Sequence, residues 1–307
     1  MLQSEIIAVS SEMRSALEQL DSVAPLDVPV FISGESGTGK ELAARRLHAG
    51  SPRSGRLFAA VNCAALPDSL LESELFGHTR GAFTGAQHAR EGLLQKADGG
   101  TLFLDEVADL SSRAQTALLR TLQEKEYRRL GDSSLCRSNF RLVSASHKNL
   151  ESEVAAGRFR HDLFFRLCVV PVTLPPLRER PADIVPLARH VLKEKARSLG
   201  FTLPRELARD AENALVSYAW PGNVRELENE MVQALVRARA ADAVRCVHLS
   251  PHLRQRTAAG LRGAARDFEE RLLRTTLERN GGNRTRSAQS LGLSRQGLYR
   301  KLKRLGL

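Results

Sequence analysis

Cysteine is scarce. There are four in 307 residues, Cys63, Cys136, Cys168 and Cys246, far apart and with no C-x-x-C pair. That suits reduced thiols in a cytosol better than a disulfide framework or a thiolate zinc site. The eight histidines show no metal-ligand spacing either. No apolar run is long enough to cross a bilayer, and residues 1–10 lack the basic region and apolar stretch of a signal peptide. The expectation is a cytoplasmic protein with no membrane partner. Acid is also in short supply: 35 Asp and Glu stand against 46 Lys and Arg, a net charge of +11. The imbalance is local. Residues 261–307 hold twelve Lys and Arg against four Asp and Glu, which is +8 of that +11. A compact basic end points to a polyanion, most often nucleic acid. The length exceeds one compact core, so more than one domain is expected, and 42% apolar with 26% charged residues is a globular composition.

What is present is organised around Gly34, Glu35, Ser36, Gly37, Thr38, Gly39, Lys40 and Glu41. A short apolar run over residues 28–32, broken only by Pro29, precedes this stretch, and a helical pattern over residues 42–47 follows it. Strand, glycine-rich turn and helix make the phosphate-binding loop of nucleotide hydrolases. Glycines let successive N–H groups curl round a phosphate, and the helix N-terminus adds partial positive charge. Lys40 would reach the outer phosphates. The general pattern ends in Ser or Thr, whose hydroxyl holds Mg²⁺; Glu41 stands there instead. A glycine turn capping an ordinary helix is the plain alternative.

Residues 12–20 read as a helix and residues 58–62 as a second strand. Residues 66–76 are helical in pattern, with Leu66, Leu70, Leu71 and Leu75 on one side. The glycine-bracketed segment Gly81, Ala82, Phe83, Thr84, Gly85, Ala86 carries one phenylalanine at its tip. A buried strand over residues 101–104 ends in Asp105 and Glu106. Downstream of a phosphate loop, such a pair is the second half of a nucleotide site: Asp105 would hold Mg²⁺ and Glu106 would orient the attacking water. Residues 111–125 form an amphipathic helix with Ala114, Ala117, Leu118 and Leu122 at helical spacing. Strands over 140–145 and 169–174 complete a pattern of alternating strands and helices. It predicts a parallel three-layer α/β domain with its ligands at the carboxyl ends of the strands.

From about Pro181 no strand is expected. Residues 184–199, 204–219 and 224–240 read as helices, the last with Asn223 as its N-cap. Residues 250–266 mix Pro, Gly, Arg and Ala and read as a linker. Then come a helix near 267–279, a second over 284–291 behind Asn283, and a third behind Ser294. Leu298, Leu302 and Leu305 would pack inward, which leaves a basic helix of helix-turn-helix type able to lie in the major groove of DNA. Arg295, Gln296 and Tyr299 would meet bases, while Ser294, Arg284, Arg300, Lys301 and Lys303 belong to the same surface, with basic residues on phosphate.

Together these motifs resemble the bacterial enhancer-binding proteins, the AAA+ activators of sigma-54 RNA polymerase. The resemblance rests on residues 34–41, Glu41 included, and on residues 81–86 and 101–106. It rests also on Phe159-Arg160-His161-Asp162-Leu163, on Leu174-Pro175-Pro176-Leu177-Arg178-Glu179-Arg180, and on residues 220–227. It implies an α/β AAA+ subdomain over 1–175, an all-α lid over 176–249, a linker over 250–262 and a Fis-type helix-turn-helix over 263–307. It implies ATP and Mg²⁺ as cofactors, and a homo-oligomeric ring, usually a hexamer, with a dimer as the inactive form. Arg160 and Arg166 would reach the γ-phosphate of the next subunit, Arg225 would sense nucleotide from the lid, and Asn62 would hold Glu106 away from water. Residues 81–86 would touch sigma-54 polymerase holoenzyme, and the C-terminal domain an upstream double-stranded DNA site. Relatives usually carry Asn at the sensor position, where this chain has His147. Its charge varies near neutral pH, so either a pH-sensitive sensor or a structural histidine is expected. Most relatives also carry an N-terminal regulatory domain. Its absence implies control by a separate regulatory protein or removal of that domain. The competing readings are a nucleotide-liganded DNA-binding regulator without motor activity and another AAA+ remodeller such as a clamp loader.

Overall fold

The computed structural model describes residues 6–83, 86–200, 206–239 and 241–254, together with residues 273, 276, 287, 288, 291, 298 and 301. By its internal contacts the chain divides into two compact units, Met1–Arg205 with Ala219–Val236, and Glu206–Tyr218 with Arg237–Leu307.

The first unit is built on a five-stranded parallel sheet: β1 (Val30–Ser33), β2 (Phe58–Asn62), β3 (Thr101–Asp105), β4 (Arg141–Ser146) and β5 (Val170–Thr173), in the order β2-β3-β4-β1-β5. Successive side chains point to opposite faces, and the two core clusters sort accordingly. Leu102 and Leu104 of β3, Phe31 of β1 and Leu142 of β4 join one cluster. Phe103, Val30, Ile32, Val143 and Ala145 join the other. Helices α3 (Asp68–Phe76), α4 (Ser112–Glu124), α5 (Leu150–Ala155) and α6 (His161–Leu167) cover the first face through Leu71, Leu118, Leu150 and Leu163. Helices α1 (Ser11–Val23) and α2 (Lys40–Ala49) cover the second through Leu17, Leu20 and Leu47. This is the three-layer parallel α/β domain the alternation predicts. Pro171 sits in edge strand β5, where a missing N–H is tolerated. The buried Arg141 at the start of β4 donates to the Val23 and Ala24 carbonyls, satisfying the open C-terminal end of α1.

Two small antiparallel pairs interrupt the pattern. Gly77–His78 pairs with Arg90–Glu91, and Glu126–Tyr127 with Cys136–Arg137. Both lie in segments too short and polar to read as strands from sequence. Helices α7 (Pro181–Ser198) and α9 (Asn223–Arg237) match the expected lid helices to within a few residues.

The second unit contains helix α8 (Arg209–Val216). It corrects the expectation that strands stop near Pro181: Glu206–Leu207 and Ala243–Val244 pair in parallel. A two-residue strand carries no periodicity for a sequence reading to find. Leu207, Ala211, Leu215, Val244 and Leu249 are buried there. Leu298 is buried, as its spacing predicts. Lys301 is helical, whereas Leu302, Leu305, Arg284, Ser294, Arg295, Gln296, Tyr299, Arg300 and Lys303 lie outside the described residues.

Candidate active site

The sheet order makes the site. Strands β3, β4 and β1 are neighbours running in one direction, so their carboxyl ends, at Asp105, Ser146 and Ser33, share one edge. The loop after β1 takes left-handed backbone at Gly37 (φ 79°) and Gly39 (φ 102°), which glycine adopts without steric cost. At Gly37 a side chain would also collide with the Gly222 carbonyl. Helix α2 then starts at Lys40, its first N–H groups open toward the loop. Lys40 is nearly buried. Its Nζ donates to the Gly34 carbonyl at 2.9 Å and the Glu35 carbonyl at 3.3 Å, and lies 3.4 Å from Glu106 Oε1. Thr38 Oγ1 donates to the Glu35 carbonyl at 2.8 Å. Glu41 is turned outward to Arg45, with Nη2 to Oε1 at 2.7 Å.

Asp105 ends β3, and Glu106 follows in left-handed backbone (φ 52°, ψ 48°). That conformation costs a non-glycine residue on the order of 1–3 kcal/mol and is typical of functional sites. Asp105 Oδ1 accepts the Glu106 N–H at 3.1 Å. Glu106 Oε2 accepts the His147 backbone N–H at 3.0 Å and lies 2.6 Å from His147 Nδ1, so the ring tautomer that pairs with the carboxylate carries its proton on Nδ1. Burial alone would raise the Glu106 carboxyl, but the His147 backbone and ring donors and the Lys40 charge hold it below the usual range. Burial, and next the charge of Glu106, push the Asp105 carboxyl up. Two adjacent half-buried acids therefore face a single lysine, an imbalance that a divalent cation at Asp105 would relieve.

Asn62 was expected to restrain Glu106. Its Nδ2 instead donates to Asp105 Oδ2 at 3.1 Å, and its Oδ1 accepts the Ala64 N–H. The register explains the difference: Asn62 lies directly opposite Asp105 across the β2–β3 pair. The hold on Glu106 comes from the other side, where β4 delivers His147. Asn223 is a second correction. It opens α9 with φ 52° in a fully buried position. Its side chain accepts the Leu177 N–H at 2.8 Å and donates to Glu35 Oε2 at 3.1 Å and the Ser36 carbonyl at 3.0 Å. Arg225 Nη1 donates to Ser36 Oγ at 3.1 Å, which places the expected sensor arginine on the loop. Arg178, which sequence reasoning placed in a motif without a role, forks onto Glu35.

Two expected groups stand apart from Lys40. Arg160 and Arg166 are exposed on α6 and its cap. Arg160 pairs with Asp162 through Nε–Oδ1 at 3.0 Å and Nη2–Oδ2 at 2.7 Å. Gly81, Ala82, Phe83 and Ala86 lie at the end of the Gly77–Glu91 pair, and Thr84 and Gly85 lie outside the described residues. Phe83 is exposed and meets the His78 ring edge-on at 5.0 Å. Thr79 N–H donates to the Leu130 carbonyl, and Leu130 N–H to the Gly77 carbonyl, so the second hairpin braces the base of the first. Among the described residues no helix is long and apolar enough to cross a membrane, and no group of His, Cys, Asp and Glu is arranged to hold a metal by itself.

Comparison with known proteins agrees with this geometry. Residues 6–173 match the Sigma-54 interaction domain, residues 178–265 the AAA+ ATPase lid domain, and residues 264–305 the Bacterial regulatory protein, Fis family. The chain is 45% identical over 314 residues to the transcriptional regulatory protein ZraR of Klebsiella oxytoca, covering 97% of this chain and 68% of that protein. It is 44% identical over 322 residues to the hydrogenase transcriptional regulatory protein HoxA of Cupriavidus necator, covering 98% and 65%. The chain thus spans about two thirds of the length of these relatives. The crystal structure of NtrX from Brucella abortus in complex with ATP superposes with a TM-score of 0.77 at 35% identity, over 99% of this chain and 70% of that one. With all three domain families in order along one chain, the protein belongs to the sigma-54-dependent AAA+ transcriptional activators.

Proposed function

We propose that the chain hydrolyses ATP with Mg²⁺ between neighbouring copies in a ring, most simply a hexamer. The turnover remodels sigma-54 RNA polymerase at a promoter from the closed to the open complex. The observation that carries this reading is the convergence of Lys40, Asp105, Glu106 and His147 on one sheet edge. The ATP and ADP complexes of NtrX support the choice of nucleotide.

The loop 34–39 and the α2 N-terminus cradle the phosphates, and Lys40 exchanges loop carbonyls for the outer phosphate oxygens. Asp105 would hold Mg²⁺, which neutralises charge on the phosphates when bound. Glu106, an ionised carboxylate oriented by His147, positions and polarises the attacking water. Arg160 and Arg166 are exposed and free of this chain's own site, as residues acting on a neighbour's nucleotide must be. An arginine supplied in trans stabilises charge developing on the transferred phosphoryl group, which makes turnover depend on assembly. Arg225 reports the phosphate state to the lid. Phe83, with Thr84 beside it, is the contact to sigma-54; an exposed aromatic between glycines is favourable when a partner covers it. Residues 263–307 hold the upstream DNA through Arg284, Ser294, Arg295, Gln296, Tyr299, Arg300, Lys301 and Lys303.

The test is open-complex formation with purified sigma-54 polymerase, ATP and a promoter carrying an upstream site. The parent chain is expected to give ATP-dependent open complex and Lys40→Ala none. Normal activation by Lys40→Ala would refute the motor.

A further inference from the structure

Glu35 is an odd group to find in a phosphate cradle. A carboxylate in the loop repels a polyphosphate unless something neutralises it. Here both of its oxygens are engaged by other side chains. Arg178 Nη2 donates to Oε1 at 2.7 Å and Arg178 Nη1 to Oε2 at 2.8 Å, a two-pronged pair. Asn223 Nδ2 also reaches Oε2, at 3.1 Å. Arg178 and its hydrogen bond hold the Glu35 carboxyl below the ordinary range.

The partners of Asn223 extend the connection. It is fully buried and held in left-handed backbone, and its amide makes three hydrogen bonds to two separate stretches: the Leu177 N–H in one, the Glu35 side chain and the Ser36 carbonyl in the other. One residue on, the Val224 N–H donates to the Gly37 carbonyl at 2.9 Å. The next residue is Arg225, on Ser36. A buried residue in left-handed backbone, with both amide hydrogens and the amide oxygen engaged, is over-determined by its surroundings, and such positions cluster at sites that switch or bind. The first turn of α9 and loop residues 35–37 therefore move together or not at all. A buried second arginine, Arg180, donates to the Thr38 carbonyl at 3.0 Å from the same segment as Arg178.

We propose that Glu35 is a positioning residue which, through Arg178 and Asn223, clamps the phosphate loop to the segment after β5 and to the first turn of α9. The clamp couples nucleotide release to displacement of Arg225. The inference rests on the reading that the loop binds a nucleotide. It adds that the charge pair 35–178 sets how fast product leaves and how well ATP is told from ADP.

The experiment is a double-mutant cycle on the full chain with Glu35→Gln, Arg178→Gln and the pair. It is read by stopped-flow release of a fluorescent ADP analogue and by the affinity ratio for non-hydrolysable ATP analogue over ADP. An exposed but two-pronged ion pair is worth about fivefold in release rate. Each single variant is expected to release ADP about fivefold faster with a smaller affinity ratio. The double variant should be no faster than either single, because the pair acts as one unit. Arg178→Lys keeps the charge without the fork and should fall between parent and Arg178→Gln. Arg178 is exposed, so its two variants decide the matter even where Glu35→Gln fails to fold. Release rates within twofold of the parent, or a double variant equal to the product of the singles, would overturn the clamp. A parent chain that binds no nucleotide would instead overturn the proposed function itself.

Discussion

Replacing Glu106 with Gln separates chemistry from binding at this site. The carboxylate accepts from the His147 backbone at 3.0 Å and lies 3.4 Å from Lys40 Nζ. Glutamine keeps the shape and one accepting oxygen but removes the charge. A positioned acid–base group contributes about 10²–10⁴-fold, or roughly 3–5 kcal/mol of barrier, so turnover should fall by at least about a hundredfold. Binding should move the other way. The gross attraction between Lys40 and Glu106 at 3.4 Å is about 5 kcal/mol at an effective dielectric constant near 20. Desolvation offsets most of it, and a net change of about 1 kcal/mol corresponds to roughly fivefold tighter ATP once Lys40 is released to the phosphates. Phosphate release at saturating ATP measures the first effect and titration with a fluorescent ATP analogue the second. Turnover within tenfold of the parent, or loss of ATP binding, would refute the assignment of Glu106 to water activation.

Three further outcomes follow from the same geometry. In His147→Ala the Glu106 carboxyl loses its ring donor and its pKa rises. The acid limb of the pH–rate profile should then move to higher pH, while His147→Asn, which can still donate, should move it less. The sign for stability agrees: a carboxylate held low in the folded chain stabilises above its unfolded value of about 4.3, and this is lost as pH falls through the folded value. An unchanged acid limb in the alanine variant would show that the ring does not set Glu106. Gly37→Ala forces a side chain into positive φ and into the Gly222 carbonyl. It should cost about 3 kcal/mol and lower the melting temperature by roughly 6–12 °C in a calorimetric scan. Phe83→Ala removes an exposed ring that meets His78 edge-on. It should leave phosphate release within about twofold, since surface changes are usually small, while open-complex formation fails; parallel loss of both would point to an assembly defect instead.

The sequence by itself determined the local chemistry. Glycines at 34, 37 and 39 followed by Lys40 allow a phosphate cradle in any strand–turn–helix setting. The alternation of Leu102, Phe103 and Leu104 requires a strand covered on both faces, and the basic excess after residue 261 requires a polyanionic partner or solvent. Only the tertiary structure decided which of these groups meet. Residues 33, 105 and 146 come to one edge because β3 and β1 flank β4, an order that no local pattern encodes. That order gives Asn62 to Asp105 and His147 to Glu106, where the family resemblance implied Asn62 on Glu106. Close packing also lets Asn223 accept a left-handed backbone in exchange for three hydrogen bonds to segments distant in the chain. The reason is common to all of these. A side chain's type is written at one position, but its partner is set by strand register and close packing across stretches far apart in sequence.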